Sequence, residues 1–327
     1  MPHSANTSQQ QPGRRLPNPH QTFNTHDLMA RQIRPSSKRT LARDGPAVSG
    51  PLARQIAASV GASPALYPYF AKLFSACHGL GTSPQAAANR LKAAGIGPAH
   101  RVLDLGCGLG ATSLAIERTC SAEVVGVDAC GEFVEIARAR ATLASLRRGS
   151  STAPSPVRCT FVQADFATLQ RRSAASPAGT LQPVSFDAVV LLSILPAIDA
   201  IKLARRWVKP GGLYLFDDAV CIDPANAAAE KSVPSLDDVS AAITRAGDRI
   251  LQTDILSPAR TAALHRATQA RLRTGAASLR RQPLPTKVSL ALKDFLAHHR
   301  QSLSNLTGAV RPVYWLVERA PLIQSKR

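Results

Sequence analysis

Closely spaced glycines follow a short apolar segment in Val102-Leu103-Asp104-Leu105-Gly106-Cys107-Gly108-Leu109-Gly110. Glycine lets the backbone approach a ligand closely, and the N–H groups at the start of a following helix point towards that ligand. The spacing from Gly106 to Ala111 therefore predicts a cofactor-binding turn, although it also fits the turn of a dinucleotide-binding fold.

Acidic residues separate these two alternatives. Asp104 stands two residues before the first glycine, where a dinucleotide fold prefers an apolar residue, and its carboxylate can face the cationic amino-acid part of S-adenosylmethionine. Asp128 ends the next predicted strand and can accept hydrogen bonds from both ribose hydroxyls. Asp165 ends the third predicted strand and can take the adenine amino group, while Phe166 packs on the ring. Together the three acids favour S-adenosylmethionine over a dinucleotide.

The segment 104–110, with Asp128 and Asp165, resembles the class I S-adenosylmethionine-dependent methyltransferases. The stretch Val208-Lys209-Pro210-Gly211-Gly212-Leu213 is similar to the turn that leads into their fifth strand. Within the class, the chain is most similar to the ubiquinone/menaquinone-type small-molecule methyltransferases. The resemblance implies S-adenosylmethionine as the cofactor, bound by Asp104, Gly106, Cys107, Gly108, Gly110, Asp128, Ala129, Asp165, Phe166 and Leu192.

Strand-like and helical segments alternate from about residue 98 onwards. Five apolar segments, from Arg101–Leu105 to Leu213–Asp217, read as strands, and Ile250–Leu256 and Val313–Glu318 are candidates for the sixth and seventh. Repeated β-α units predict a parallel sheet that is covered on both faces. We expect an α/β, Rossmann-like fold with a seven-stranded, mostly parallel sheet and helices on both faces. The resemblance adds an antiparallel last strand.

Further segments flank this domain or interrupt it. Residues 1–50 are rich in Ser, Gln, Asn, Pro and Arg and predict a disordered basic tail. Residues 51–97 are predicted to be helical, with Ser83 capping a helix that starts at Pro84, and the resemblance implies that they form an N-terminal helical lid. Residues 98–327 form the predicted methyltransferase domain, and a basic helical insertion at 258–311 supplies C-terminal lid elements.

The methyl acceptor is expected beyond the fourth and fifth strands, next to the methyl group of the cofactor. Asp218 leaves the fifth strand there and is the candidate for taking a proton from the acceptor or binding it, although one acid of Asp217-Asp218 could simply cap the next turn. The remaining candidates for contact with the substrate are Ser193 after the fourth strand and three lid residues, Tyr67, Tyr69 and His78. A lid lined by Tyr and His would suit an aromatic or otherwise flat molecule, and ordinary helix packing is the alternative.

The segment Ser193-Ile194-Leu195-Pro196 argues against two kinds of acceptor. Enzymes that methylate exocyclic amines or glutamine amides have an Asn/Asp-Pro-Pro-aromatic segment at this position, and this chain does not. Enzymes that methylate cytosine C5 need a nucleophilic cysteine, and Cys221 has no base beside it in the sequence. Amino- and C5-methylation of DNA are therefore disfavoured.

The net charge of +19 belongs to the two ends of the chain. Residues 1–50 carry seven Lys and Arg against two acids, and residues 255–327 carry thirteen against two, whereas the middle is nearly balanced. A carboxylate- or phosphate-bearing substrate, a nucleic acid or an anionic membrane could use this excess, and a solvated basic face is the alternative.

The cysteines and targeting signals point to a reducing compartment. The six cysteines show no paired spacing, which predicts free thiols. No secretory signal or run of 18 apolar residues is visible, so we expect a cytoplasmic protein with no membrane span, while the basic N-terminus leaves mitochondrial targeting open. His298 and His299 have no further ligands at a suitable spacing, and no metal site is predicted.

The sequence thus predicts an enzyme that transfers a methyl group from S-adenosylmethionine to the O, N or C atom of a small molecule by in-line displacement. A methyltransferase associated with RNA or another nucleic acid, which would use the basic ends, is the first alternative. An NAD(P)-dependent oxidoreductase is the second, and it is disfavoured by Asp104 and by the lack of a Tyr-x-x-x-Lys pair.

Overall fold

The computed structural model describes residues 50–77, 83–148, 158–165, 169, 181–223, 233–301, 306 and 308–321. The predictions for the tail up to residue 49, for His78 and for Phe166 lie outside these residues. Within the described part of the chain, no helix is both long enough and apolar enough to cross a membrane.

The described strands form one mixed sheet. Its strands, in sheet order, are β3 (Cys159–Gln163), β2 (Glu123–Asp128), β1 (Arg101–Leu105), β4 (Phe186–Leu191), β5 (Val208–Cys221), β7 (Val310–Glu318) and β6 (Arg249–Ile255). Neighbouring strands among β1 to β5 pair in parallel, whereas β7 is antiparallel to both β5 and β6. The predicted Rossmann-like fold, with a mostly parallel seven-stranded sheet and an antiparallel last strand, is confirmed.

Helices flank the sheet and extend beyond it. In chain order they are α1 (Pro51–Ser59), a 3₁₀ helix (Pro64–Tyr69), α2 (Phe70–Leu73), α3 (Pro84–Ala93), α4 (Ala111–Cys120), α5 (Gly131–Arg148), α6 (Ala197–Trp207), α7 (Leu236–Arg245), α8 (Pro258–Arg280) and α9 (Thr286–Gln301). Ser83 accepts a hydrogen bond from the Ala86 N–H, so α3 begins as predicted. Ser257 starts α8 in the same way by accepting the Arg260 N–H.

The two faces of the sheet carry separate apolar cores. Successive residues of a strand point to opposite faces, so Val102 of β1 packs against α3 and α4 while Leu103 packs on the other side. That other face is covered by α6 and α7, which bury Trp207 and Ile243. Helices therefore lie on both faces, and the ends of the strands are left to carry the site.

A third apolar cluster joins the two predicted lid segments, and we call this assembly the cover. It comprises α1, the 3₁₀ helix and α2 from the N-terminal side and α8 and α9 from the insertion. At their closest approach, a Cβ on Gly275 of α8 would lie 1.9 Å from the carbonyl oxygen of Leu73, so only glycine fits there. Leu109 belongs to the same cluster, and the cover therefore packs against the turn that follows β1.

The fifth strand is longer than predicted. We expected Leu213–Asp217, but β5 runs from Val208 to Cys221 and includes the Pro-Gly-Gly segment. The backbone N–H of Gly211 donates to the carbonyl of Arg319, and the N–H of Arg319 donates to the carbonyl of Gly212. These two bonds pair the segment with the end of β7, and the register of β5 against β4 shifts at the same place. The segment is therefore part of a strand, where a turn was expected.

Candidate functional site

The turn between β1 and α4, residues 106–110, is here called the glycine turn. The N–H groups of Gly106 and Cys107 both donate to the carbonyl of Val127 in β2, which fixes the turn over the edge of the sheet. Gly108 and Gly110 have φ of 52° and 77°, a left-handed conformation that favours glycine. Gly110 directly precedes α4, so the helix N-terminus with its unpaired N–H groups lies at this edge.

Asp128, the predicted ribose-binding acid, is tied to the glycine turn. One carboxylate oxygen accepts the N–H of Gly108 at 2.8 Å, and the other accepts the N–H of Cys130 at 2.8 Å. Burial raises the pKa of Asp128, and the backbone hydrogen bonds oppose that shift. Each carboxylate oxygen has a second lone pair, so Asp128 can hold the turn and still accept ribose hydroxyls.

Asp104 lies beneath the glycine turn and is only 3% exposed. The hydroxyl of Ser113, in the first turn of α4, donates to its carboxylate at 2.5 Å. The pKa of Asp104 is raised to about 7: burial is the largest cause, the hydrogen bond with Ser113 opposes it, and the charge of Asp128 adds to it. Ser113 was missed from the sequence, although it is a polar residue on the buried face of α4.

The remaining predicted cofactor residues lie at the same edge of the sheet. Asp165 follows β3 and is partly buried, and Leu192 follows β4 and packs partly on the core. Ala129 follows Asp128, and its carbonyl accepts a hydrogen bond from the Gln163 side chain. Cys107 is buried within the turn, packed against α5. Their contacts with a bound cofactor remain predictions.

The two acids of β5 lie at the predicted acceptor side and hold the segments around it. The carboxylate of Asp217 is buried and accepts hydrogen bonds from the backbone and hydroxyl of Ser193. Asp218 accepts the N–H of Ala197 at 2.7 Å, at the start of α6, and the N–H of its neighbour Ala219. The Asp218 side chain thus caps the start of α6, while Asp217 holds the loop after β4.

Tyr67 is the predicted lid residue that the fold brings to the cofactor side. Its hydroxyl shares a hydrogen bond with the Cys130 thiol, two residues beyond Asp128. Burial, together with the neighbouring Cys130, Glu132 and Asp128, raises the pKa of Tyr67 to about 12. Tyr69 ends the 3₁₀ helix and is partly buried.

The groups at this edge fit S-adenosylmethionine. A Cβ on Gly108 would meet no atom within 4 Å, so the space in front of that backbone is open. Asp104 lies near the end of β1, Asp128 ends β2 and Asp165 follows β3, in the order expected for the amino-acid, ribose and adenine parts of the cofactor. Among the residues that the structure describes, no group of three or more His, Cys, Asp and Glu could hold a metal ion, and all six cysteines are free thiols.

Comparison with known proteins agrees with this geometry. Residues 102–212 match a family described as a methyltransferase domain. The chain is also similar to a methyltransferase of Geobacter sulfurreducens solved with S-adenosyl-L-homocysteine, at 18% identity and a TM-score of 0.56, covering 76% of this chain and 97% of that one. A methyltransferase of Thiobacillus denitrificans, solved with the same ligand, has 17% identity, a TM-score of 0.55 and coverage of 76% and 96%.

A further similar structure has a different activity. The [4+2]-cyclase SpnF has 15% identity and a TM-score of 0.56, over 83% of this chain and 98% of that one. At such identities the structures report the fold, and the match over 102–212 identifies the domain. The prediction of a methyltransferase domain is confirmed, and the similar structures solved with S-adenosyl-L-homocysteine are consistent with S-adenosylmethionine as the cofactor. Residues 102–212 are a methyltransferase domain, in a chain with the fold of the S-adenosylmethionine-dependent methyltransferases.

Proposed function

We propose that this chain transfers the methyl group of S-adenosylmethionine to an O, N or C atom of a small molecule by in-line displacement. The observation that carries the proposal is the cover, because its apolar cluster includes Leu109 of the glycine turn and so continues to the cofactor edge. A cofactor edge that is partly covered by helices suits a small acceptor better than a long polymer.

The residues of the chain have distinct roles in this proposal. When bound, the cofactor supplies an electrophilic methyl group on its sulfonium. Asp128 holds the ribose hydroxyls, Asp165 accepts from the adenine amino group, and Asp104 lies on the side of the ammonium group. Because the glycine turn and α4 are held by hydrogen bonds before any ligand binds, little ordering is needed on binding.

The proposed acceptor site lies at the ends of β4 and β5. Ser193 is exposed there, and its conformation is set by Asp217. Asp218 remains the proposed proton acceptor, because it leaves β5 at this edge of the sheet and each oxygen of a carboxylate can accept more than one hydrogen bond. Tyr67 and Tyr69 from the cover, with the likeness to ubiquinone/menaquinone-type enzymes, favour a flat aromatic molecule, and the basic insertion favours one that carries an anionic group. We further propose that the protein acts in the cytoplasm.

A nucleic-acid acceptor is the second candidate, and the charge of α8 favours it. Arg266, Arg273 and Arg280 are exposed along this helix. Phosphate contacts by such residues would make binding fall steeply with salt. Weak retention of RNA with no methyl incorporation would count against this candidate.

Calorimetric titration with S-adenosylmethionine, and separately with NAD, tests the cofactor. Asp128→Ala removes the proposed ribose acceptor, and Asp237→Ala, at an exposed acid of α7, is the matched control. Affinity for S-adenosylmethionine that is lost in the first variant and kept in the second supports the assignment. Equal affinity in both variants contradicts it.

Transfer itself is tested with S-adenosylmethionine labelled in the methyl group. The full chain is incubated with the low-molecular-mass fraction of a cell extract, and in parallel with total RNA. Label in small molecules supports the proposal, and label in RNA supports the second candidate. Tight binding with no label in either fraction would contradict methyl transfer and point to another reaction on this fold, as in the cyclase.

A further inference from the structure

A cavity of about 330 Å³ lies between α3, α8 and the two outer strands, away from the glycine turn. Ala263, Leu264 and Ala267, along one face of α8, form an apolar wall with Leu256. Arg90 of α3, Arg260 of α8 and Tyr314 of β7 supply the polar part of the lining. The volume is at the lower end of the range for small-molecule sites, and an apolar wall with a few convergent polar groups is typical of them.

The charges beside this cavity do not balance. Asp254 of β6 forms an ion pair with Arg90, and Arg260 lies 3.8 Å from the same carboxylate. Two guanidinium groups thus share one acid, which leaves one positive charge uncompensated among the described residues around the cavity. Arg90 is held in place, since its side chain is only 12% exposed and lies 5.2 Å over the Tyr314 ring.

The Arg90 side chain also lacks one hydrogen-bond acceptor. Its Nε is buried and has no hydrogen-bond partner among the described residues. Buried donors of charged groups are costly to leave unpaired, so a residue placed in this way is unusual without a ligand nearby. Arg260, by contrast, is 59% exposed and free to turn towards a molecule in the cavity.

Strand register connects the cavity with the proposed acceptor site. Tyr314 of β7 stands directly opposite Asp217 of β5 and opposite Asp254 of β6. Directly opposed residues point to the same face, and adjacent strands are about 4.8 Å apart, so Asp217 and Asp254 are roughly 10 Å apart along one face of the sheet. The Ser193–Asp217 pair and the ion-paired arginines thus lie on the same face of the sheet, with Tyr314 between them.

We propose that this cavity binds a carboxylate on an amphipathic acceptor, with its apolar stem against α8. The inference rests on the proposed small-molecule function and assigns a chemical class to the substrate. A monoanion matches the single unbalanced charge, whereas the second charge of a phosphate monoester would be repelled by Asp254. Arg260 supplies the mobile half of the contact and Arg90 the fixed half.

Hexanoate is the probe, with hexanamide and hexyl phosphate as comparisons, and the full chain is titrated by ligand-observed NMR. We expect hexanoate to bind at least about tenfold more tightly than hexanamide, since a charge-assisted hydrogen bond is lost with the amide. Arg260→Gln should weaken hexanoate about tenfold, while Arg266→Gln, at an exposed arginine on the same helix that does not line the cavity, should leave it unchanged.

Two further variants separate binding from folding defects. Asp254→Asn removes the competing carboxylate and should tighten hexanoate binding, which damage to the fold would not do. Ala267→Phe should fill the cavity and abolish binding while leaving titration with S-adenosylmethionine intact. Tighter binding of hexyl phosphate than of hexanoate would overturn the choice of a carboxylate.

Parallel titration with S-adenosylmethionine distinguishes a failure of this inference from a failure of the proposed function. Binding of S-adenosylmethionine without any binding of hexanoate overturns this inference alone. Binding of hexanoate without S-adenosylmethionine overturns the proposed function, and with it the role of the cavity as part of an acceptor site.

Discussion

The Asp217 carboxylate accepts hydrogen bonds from both the backbone N–H and the hydroxyl of Ser193, at 2.5 and 3.1 Å. Ser193 has φ of 58°, in the left-handed region, where residues other than glycine are strained by about 1 kcal/mol or more. The paired hydrogen bonds hold the residue in this conformation. The end of β5 therefore sets the shape of the loop after β4, which faces the proposed acceptor.

The two partners of this pair should respond differently to substitution. Asp217→Ala leaves the Ser193 N–H without its acceptor and should lower the free energy of unfolding by about 1–3 kcal/mol. Ser193→Gly loses one hydroxyl contact but relieves the backbone strain, so its stability should stay within about 1 kcal/mol of the natural chain. Urea denaturation measures both, and an equal loss in the two variants would contradict the strain argument.

The affinity for S-adenosylmethionine should depend on the ionisation of Asp104. Its pKa is raised to about 7 in the protein alone, so below that pH the carboxyl is largely protonated. A cation bound nearby favours the ionised form, and binding then releases a proton. We expect affinity to fall as the pH is lowered below 7, by up to about tenfold per pH unit. Calorimetry in buffers of different ionisation enthalpy measures the number of protons released when S-adenosylmethionine binds. Asp104→Asn should abolish this release.

Asp104 should also influence stability in the absence of ligand. Burial raises its pKa above the ordinary value of 3.8, so the folded chain keeps a proton that the unfolded chain has lost between those pH values. The contribution of this residue to the free energy of unfolding therefore decreases as pH rises from about 4 to 7, by about 4 kcal/mol at most. The melting temperature of Asp104→Asn should therefore rise relative to that of the natural chain as the pH increases from about 4 to 7. If the melting temperatures of the two proteins change with pH in parallel, the prediction is wrong.

Two glycines of the glycine turn should separate binding from stability. In Gly108→Ala the new Cβ meets open space, and the only cost is that of a left-handed φ in alanine. The free energy of unfolding should therefore stay within about 1 kcal/mol of that of the natural chain. The affinity for S-adenosylmethionine should nevertheless fall, because the Cβ occupies the space proposed for the cofactor. Gly110→Ala would place its Cβ 2.9 Å from Ala137 and from the Phe161 ring, so it should lose stability as well. Denaturation and calorimetry on both variants check this, and intact binding in Gly108→Ala would exclude the cofactor from that space.

The grouping of the proposed cofactor residues at one edge of the sheet could be predicted because they stand near the ends of successive strands. Parallel strands bring their carboxyl ends to one edge, so acids at the ends of β1, β2 and β3 had to lie there together. Ser83 and Pro84 likewise predicted the start of α3 from local chemistry alone.

The other half depends on contacts between residues that are distant in sequence. Asp217 and Asp218 differ in role because neighbouring residues of a strand face opposite sides, and only the register of β5 decides which acid reaches Ser193. The sharing of Asp254 by Arg90 and Arg260 requires the outer strands and α8 to be in place. No local pattern marks such pairs, so neither contact could be predicted.

The crossing of Gly275 over Leu73 has a consequence for the order of assembly. The strands that carry the cofactor acids are neighbours in sequence and can pair as the chain leaves the ribosome. The N-terminal helices, synthesised before them, must wait for α8 and α9, because these packing partners emerge only after β1 to β6. During synthesis this protein therefore forms an open cofactor edge first and closes it only when the chain is nearly complete.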